Sequence, residues 1–170
     1  REVLDLVNEG EVDLGLVPSP VRSDPFDFVR LFTYERVVIT ARVHPLLDEP
    51  LTSLGQIARW PLIMRGRETH TRALLEEEFQ RRGLRYDIRV ELDSMDMIKR
   101  YVALGMGVSV GPRLAIEPKD MDELGVLSLA NLLPVDQGGI VTRRDKNLST
   151  AAQTFIAETK DTLSVATTGG

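Results

Sequence analysis

The sequence contains no cysteine. That excludes disulfides, thiolate nucleophiles and cysteine-ligated metals, and it favours a reducing compartment. Histidine is almost as scarce. The two present, His44 and His70, have no acidic cluster at ligand spacing beside them, so neither a metal site nor a cofactor site is expected. Aromatic residues make up 5% of the chain, too few and too scattered for a base-stacking platform. An excess of positive charge is also missing. Twenty-one Lys and Arg stand against 26 Asp and Glu, for a net charge of −5. A surface of that sign does not wrap a phosphate backbone, which argues against direct DNA contact by these residues. No apolar run approaches the roughly 20 residues that cross a bilayer, so no membrane association is expected. No signal peptide is visible.

What is present is an ordinary core-forming composition. Hydrophobic residues are 42% and charged residues 28% of 170, enough for one domain or two small lobes. Short apolar runs alternate with helical patterns. "VDLGLV" (Val12–Val17), "PLIM" (Pro61–Met64), "YDIRVELD" (Tyr86–Asp93), "VSV" (Val108–Val110), "GVLSLANLL" and "GGIVTRRDKN" read as strands. "FVRLFTYERVVIT" (Phe28–Thr40) reads as two short strands or one long bent one. Arg72–Arg82, Ser94–Leu104 and Leu148–Leu163 read as amphipathic helices, with Gly83 and Gly105 as C-terminal caps. The pattern predicts an α/β protein with mainly parallel sheets. The chain opens at Arg1 on what reads as the end of a helix. The expectation is that a strand and a loop of the same domain precede it.

The stretch Gly105–Pro112, "GMGVSVGP", contains G-x-S-x-G around Ser109. A nucleophile elbow needs strand, sharp turn and helix in that order, with a histidine downstream. Here a helix precedes the glycines, and both histidines precede Ser109. The spacing is also wrong for a dinucleotide-binding turn. A structural Ser109 is the expectation, with Gly107 either tightening a turn or admitting a close backbone approach. The basic run Arg143-Arg144-Lys146 encloses Asp145 and reads as a solvated strand end more readily than as a phosphate site. No set of residues suggests catalysis.

Two strand-to-helix loops carry the remaining chemistry. "RGRETHT" (Arg65–Thr71) leads into the first of the three helices, and Asp93-Ser94 leads into the second. In open α/β sheets, ligands sit beyond the carboxyl ends of strands, where helices offer free N–H groups and a positive dipole end. Thr69, Thr71 and Ser94 supply hydroxyls, and Arg65, Arg67 and His70 supply charge. A small anion is the natural guest. The competing reading makes Thr71 and Ser94 simple N-caps, and one residue can do both.

The order "VNEGEVDLGLV", "VVITARVHPL", "LGQIARWPLIM", "MIKRYVALGMGVSVGP", "VTRRDKNLSTAAQTFI" resembles the effector-binding domain of LysR-type transcriptional regulators. It is most similar to the branch that controls sulfur assimilation and cysteine synthesis. The resemblance implies a fold like the type 2 periplasmic binding proteins: two α/β subdomains joined by two crossover strands, with the effector in the cleft between them. It implies a first lobe of about 1–40 plus 138–160, incomplete at its N-terminus, a second lobe of 41–137, and a flexible tail at 161–170. The effector-binding residues it implies are Thr40, Arg65, Gly66, Thr69, His70, Thr71, Asp93, Ser94 and Met95. The sulfur branch prefers threonine near Asp93, where this chain has an acid. The family implies a cytoplasmic bacterial regulator and not an enzyme. It acts as a homo-oligomer, dimer or tetramer, and reaches promoter DNA through a winged helix-turn-helix that these residues lack. A solute-binding protein of a transport system, which shares the fold, is the alternative.

Overall fold

The computed structural model describes residues 3–18 and 20–167. The chain divides into two compact units, Arg1–Thr33 with Asp136–Gly170, and Tyr34–Val135.

In the first unit, α1 (Val3–Glu9) ends at Gly10, whose φ of 76° is the left-handed conformation that stops a helix cheaply only in glycine. Then come β1 (Leu14–Val17) and β2 (Phe26–Tyr34). In the second unit, β3 (Arg36–Ala41), α2 (Leu54–Ala58), β4 (Pro61–Met64), α3 (His70–Arg81), β5 (Asp87–Glu91), α4 (Met95–Ala103), β6 (Ser109–Pro112) and β7 (Leu124–Ser128) follow in order. The chain then returns to the first unit for β8 (Asp136–Arg143) and α5 (Thr150–Thr167). The first unit's sheet has the order β1-β8-β2, with β1 antiparallel to β8. Gly138 and Gly139 of β8 lie flat under Phe32 and Phe28, with no room for a side chain. Helix α5 runs four residues past the expected stop at Leu163, so 161–167 is helical rather than tail; the rest of that segment, 168–170, lies outside the described residues. Phe155 of α5 stands exposed.

The second unit has helices on both faces of its sheet. In β3, Val38 faces a cluster with Leu54 and Ile57 of α2, Leu75 and Phe79 of α3, and Leu62 and Met64 of β4. Its neighbours Val37 and Ile39 face the opposite cluster, with Ile98 and Val102 of α4 and Ile63 of β4. A strand buried on both sides shows an unbroken apolar run instead of alternation, which is why "VVI" and "PLIM" read as they do. Each fully buried aliphatic or Phe side chain contributes roughly 1.5–3 kcal/mol of transfer free energy.

The pairing is more antiparallel than the sequence suggests. β3 is central and antiparallel to both β6 and β7, whereas β4 and β5 are parallel. A single parallel bridge, Leu62 with Val108, joins the two-stranded and three-stranded sheets. Phe28–Thr40 is two strands that belong to different sheets. β3, placed from the sequence at the end of the first lobe, is the middle strand of the second unit's sheet. The glycines of "GMGVSVGP" divide their work. Gly105, at φ 77°, caps α4. A Cβ on Gly107 would lie 2.5 Å from the Pro61 carbonyl oxygen, so glycine here admits the backbone of β4. Gly111 makes room for the Met95 thioether.

Candidate functional site

The carboxyl edge of the second unit's sheet collects most of the polar residues singled out in the sequence. Met64 and Glu91, the last residues of β4 and β5, are register partners in a parallel pair. The two loops that follow therefore leave side by side, on strands about 4.8 Å apart. The amide of Leu92 donates to the carbonyl of Met64 at 3.0 Å, which extends the pairing one step into the loops. Arg65–Thr69 leads to α3 and Leu92–Ser94 leads to α4, so two helix N-termini open at one edge. β6 runs parallel to β4, and β3 runs antiparallel to β6 with Arg36 opposite Pro112. The start of β3 thus belongs to the same edge.

Helix α3 starts at His70 rather than Arg72, with Thr69 as its N-cap in an extended conformation. Thr71 is accordingly in the first turn and is not a cap. The Thr69 hydroxyl donates to the Gly66 carbonyl at 2.8 Å, and the Thr69 amide donates to the same oxygen at 3.1 Å. These bonds close the loop on itself. Gly66 is buried, and a Cβ there would collide with the Glu68 carboxylate. Arg65, Arg67 and His70 are exposed. Ser94 is the N-cap of α4, yet its side chain makes no capping hydrogen bond, so the hydroxyl stands exposed at the edge beside exposed Asp93. Met95 turns the other way and packs its thioether on Gly111. The two helix ends differ in charge: the first turn of α3 has no acid, whereas that of α4 carries Asp96.

Thr40 is not brought to this edge. It lies four residues along β3, about 13 Å from the Arg36 end at strand rise, opposite Gly125 at the start of β7. It is 0% exposed. Its hydroxyl donates to the Ala41 carbonyl at 2.8 Å, with the Gly125 carbonyl 3.4 Å away. The hydroxyl is consumed within its own sheet.

Two arginines absent from the sequence-based set belong here. Arg36, 1% exposed, donates from Nη1 to the Pro134 carbonyl at 3.0 Å and from Nε to the Thr71 hydroxyl at 3.4 Å. It ties the beginning of the second unit, its end and the first turn of α3 together. Arg72, 2% exposed, donates from Nη1 to the Arg65 carbonyl at 2.9 Å and pairs with Glu91 and Glu76. Only the i, i+4 spacing of Arg72 and Glu76 hints at this in the sequence.

Other polar features resolve as structure. Ser109 is 0% exposed, and its hydroxyl has no hydrogen-bond partner among the described residues, whereas an activated nucleophile requires a base in contact. His44 caps the short 3₁₀ turn Pro45–Leu47, accepting from the Leu46 amide at Nδ1 over 3.2 Å, and meets Trp60 edge-on at 4.4 Å. Burial lowers its pKa below the ordinary value. In the first unit, Arg144 pairs with Asp24 and Asp27 at 2.8 Å each, and Arg143 with Asp145. Both arginines of the basic run are thus paired with acids. Among the described residues, no group of three or more His, Cys, Asp or Glu could hold a metal ion, and no helix is long and apolar enough to cross a membrane.

Residues 1–164 match the family model described as the LysR substrate binding domain. The chain belongs to this family. Its relatives include the HTH-type transcriptional regulator cbl of Escherichia coli (strain K12), 32% identical over 112 residues, 65% of this chain and 35% of that one. The HTH-type transcriptional regulator CysB of Burkholderia cenocepacia is 30% identical over 84% of this chain and 44% of its own length. The activator CmpR of Synechocystis is 28% identical over 92% and 52%. The chain thus spans between a third and about half of these curated relatives. Among solved structures, the cofactor-binding domain of the Cbl regulator superposes with a TM-score of 0.81, at 24% identity, covering 91% of this chain and 68% of that one. The regulatory domain of Synechocystis CcmR in complex with 2-PG gives 0.82, at 24% identity, over 95% and 78%. The effector-binding domain of QuiR in complex with shikimate gives 0.80, at 18%, over 95% and 77%. These likenesses establish the type 2 periplasmic-binding-protein-like fold.

Proposed function

We propose that this chain is the effector-sensing part of a LysR-type transcriptional regulator, and that a small anionic metabolite binds at the carboxyl edge of the second unit's sheet. The observation that carries the reading is the pair of adjacent strand-to-helix loops, Arg65–Thr69 and Leu92–Ser94, opening two helix N-termini at one edge. Free N–H groups and a positive dipole end favour an anionic group there. Thr71 and Ser94 supply hydroxyls, Thr69 shapes its loop through the Gly66 carbonyl, and Arg65, Arg67 and His70 supply long-range attraction. Thr40 supports the sheet rather than touching the effector.

Family membership favours regulation over solute transport, and the ligands bound by related domains, 2-PG and shikimate, fit a small-metabolite effector. A preference of about 1–3 kcal/mol for one conformation suffices for such a ligand to act as a switch. DNA contact falls to a helix-turn-helix outside these residues, in keeping with the net charge of −5. The reading places the protein in the cytoplasm, without catalysis, as a homo-oligomer. The outer face of α4 offers a surface for a second copy: Met97 and Leu104 are exposed beside Tyr101 and Val43, along a groove of about 830 Å³.

The test is a thermal-shift and calorimetric comparison with sulfate and shikimate, on the wild type and on Thr69→Ala and Ser94→Ala. At least one anion should stabilise the wild type, and both substitutions should reduce that response. No response to either anion, or an undiminished response in both variants, removes the site.

A further inference from the structure

We infer that Arg72 is the positioning residue of this edge: a buried guanidinium that locks the two strand-to-helix loops to one another and so sets the spacing at which they meet a ligand. The inference rests on the effector site placed at these loops.

The side chain is third in α3 and almost wholly buried. One nitrogen, Nη1, reaches the carbonyl of Arg65, the first residue after β4, at 2.9 Å and the carboxylate of Glu91, the last residue of β5, at 3.3 Å. Nη2 donates to Glu76 Oε1 at 3.3 Å, and Nε lies 3.2 Å from Glu76 Oε2 in an ion pair too bent for a hydrogen bond. Tyr86, immediately before β5, donates its hydroxyl to the same Glu76 carboxylate at 3.2 Å. One side chain therefore spans the ends of both parallel strands and the first turns of the helix between them.

Stability alone does not call for this arrangement. Position 72 shares the inner face of α3 with Leu75 and Phe79, at i, i+3 and i+7, where an aliphatic residue would continue the apolar stripe. Burying an ion pair is commonly neutral or unfavourable compared with such a residue. What arginine adds is direction: a planar fork with fixed donor geometry that names its acceptors. Two of those acceptors, the Arg65 carbonyl and the Glu91 carboxylate, stand where the two loops begin. A loop held this way presents donors at a fixed distance, which is how supporting residues tune a binding site.

Glu91→Thr tests this without disturbing the core, because Glu91 is half exposed and threonine keeps the strand preference. Electrostatics alone makes a sharp counter-prediction. Removing a carboxylate beside an anion site should tighten anion binding, whereas loosening the loops should weaken it. Amide exchange measured by NMR on the whole chain reads the loops with no ligand present. The Thr69 amide, bonded to Gly66, and the Leu92 amide, bonded to Met64, are the reporters, and the Leu129 amide, bonded to Arg36, is the reference. In Glu91→Thr both reporters should exchange roughly tenfold faster while the reference holds. Arg72→Met should show the larger effect if it folds, and Glu91→Thr decides alone if it does not. Unchanged reporters in Glu91→Thr overturn the positioning role. Calorimetry with sulfate then separates the two readings. Weaker binding in Glu91→Thr supports both, and tighter or equal binding overturns the positioning role while leaving the site. Faster reporters with no sulfate or shikimate response in the wild type support the positioning role and overturn the effector site.

Discussion

Replacing Ser109 by alanine should stabilise the protein. The residue lies in β6 opposite Ile39, fully buried, on the side of the sheet that faces α4. Its hydroxyl has no hydrogen-bond partner among the described residues. A buried polar group left in that condition costs about 1–3 kcal/mol in lost hydration. Deleting the oxygen recovers that cost and creates a void. An oxygen-sized void of roughly 10–15 Å³, at about 24 cal/mol per Å³, costs about 0.3 kcal/mol. Serine and alanine differ by only a few tenths of a kcal/mol in strand preference. The balance favours alanine by about 1 kcal/mol, a rise in Tm of about 2–8 °C depending on whether one unit or the whole chain melts cooperatively. Calorimetric melting and a urea titration at constant m value read it. A fall in stability of about 1 kcal/mol would refute the reasoning, because it would mean the hydroxyl has a partner that is worth more than its desolvation.

Gly107→Ala should destabilise by about 1–3 kcal/mol, since its Cβ would meet a backbone carbonyl that belongs to the β4 ladder and cannot step aside; an unchanged urea midpoint would show that β4 and the Gly107 turn can separate. Stability should decline as pH falls from about 7 toward 5: burial lowers the His44 pKa in the folded state, so the unfolded chain takes up the proton first. His44→Asn keeps a capping acceptor and should flatten that part of the profile, and a profile of undiminished slope would assign the effect elsewhere. Thr40→Ala should lower the melting temperature and leave the response to sulfate or shikimate intact, because its hydroxyl serves Ala41 and Gly125; a selective loss of the ligand response would return Thr40 to the site.

The elements were legible wherever local chemistry determines them. The helix ends at Gly83 and Gly105 follow from glycine at positive φ, and "PLIM" and "VVI" follow from strands buried on two faces. The pairing was not legible, because a run of short strands does not say which neighbour each will take. β3 shows this: its apolar run fits any buried strand, and only the register with β6 and β7 makes it central and antiparallel to both. The same gap applies to Thr40. The resemblance implies it as an effector contact, and only the register of β3 shows that it lies at the edge opposite the two loops. Arg36 and Arg72 were invisible for a related reason. A charge at a strand start or in a first helical turn usually points to solvent, and the three-dimensional acceptors that bury these two come from residues 98 and 19 positions away.

The edge is asymmetric, and this bears on what it can hold. Each helix has an acid just ahead of its cap, Glu68 before α3 and Asp93 before α4, but the first turn of α3 carries no acid and Arg65, Arg67 and His70 surround it. The N-terminus of α4 carries Asp96 in its first turn and Asp93 just ahead of its cap, so much of its dipole is already answered. A divalent inorganic anion would satisfy the α3 end and meet repulsion from Asp93. A carboxylate that also bears hydroxyls would place its charge at α3 and donate to Asp93, using both halves. Sulfate and shikimate differ in this respect, so their relative effect on the wild type reads the acid at position 93 directly. A preference for the hydroxylated carboxylate means that both loops act on the ligand together, which is the condition under which a fixed spacing between them, held by Arg72, matters for binding.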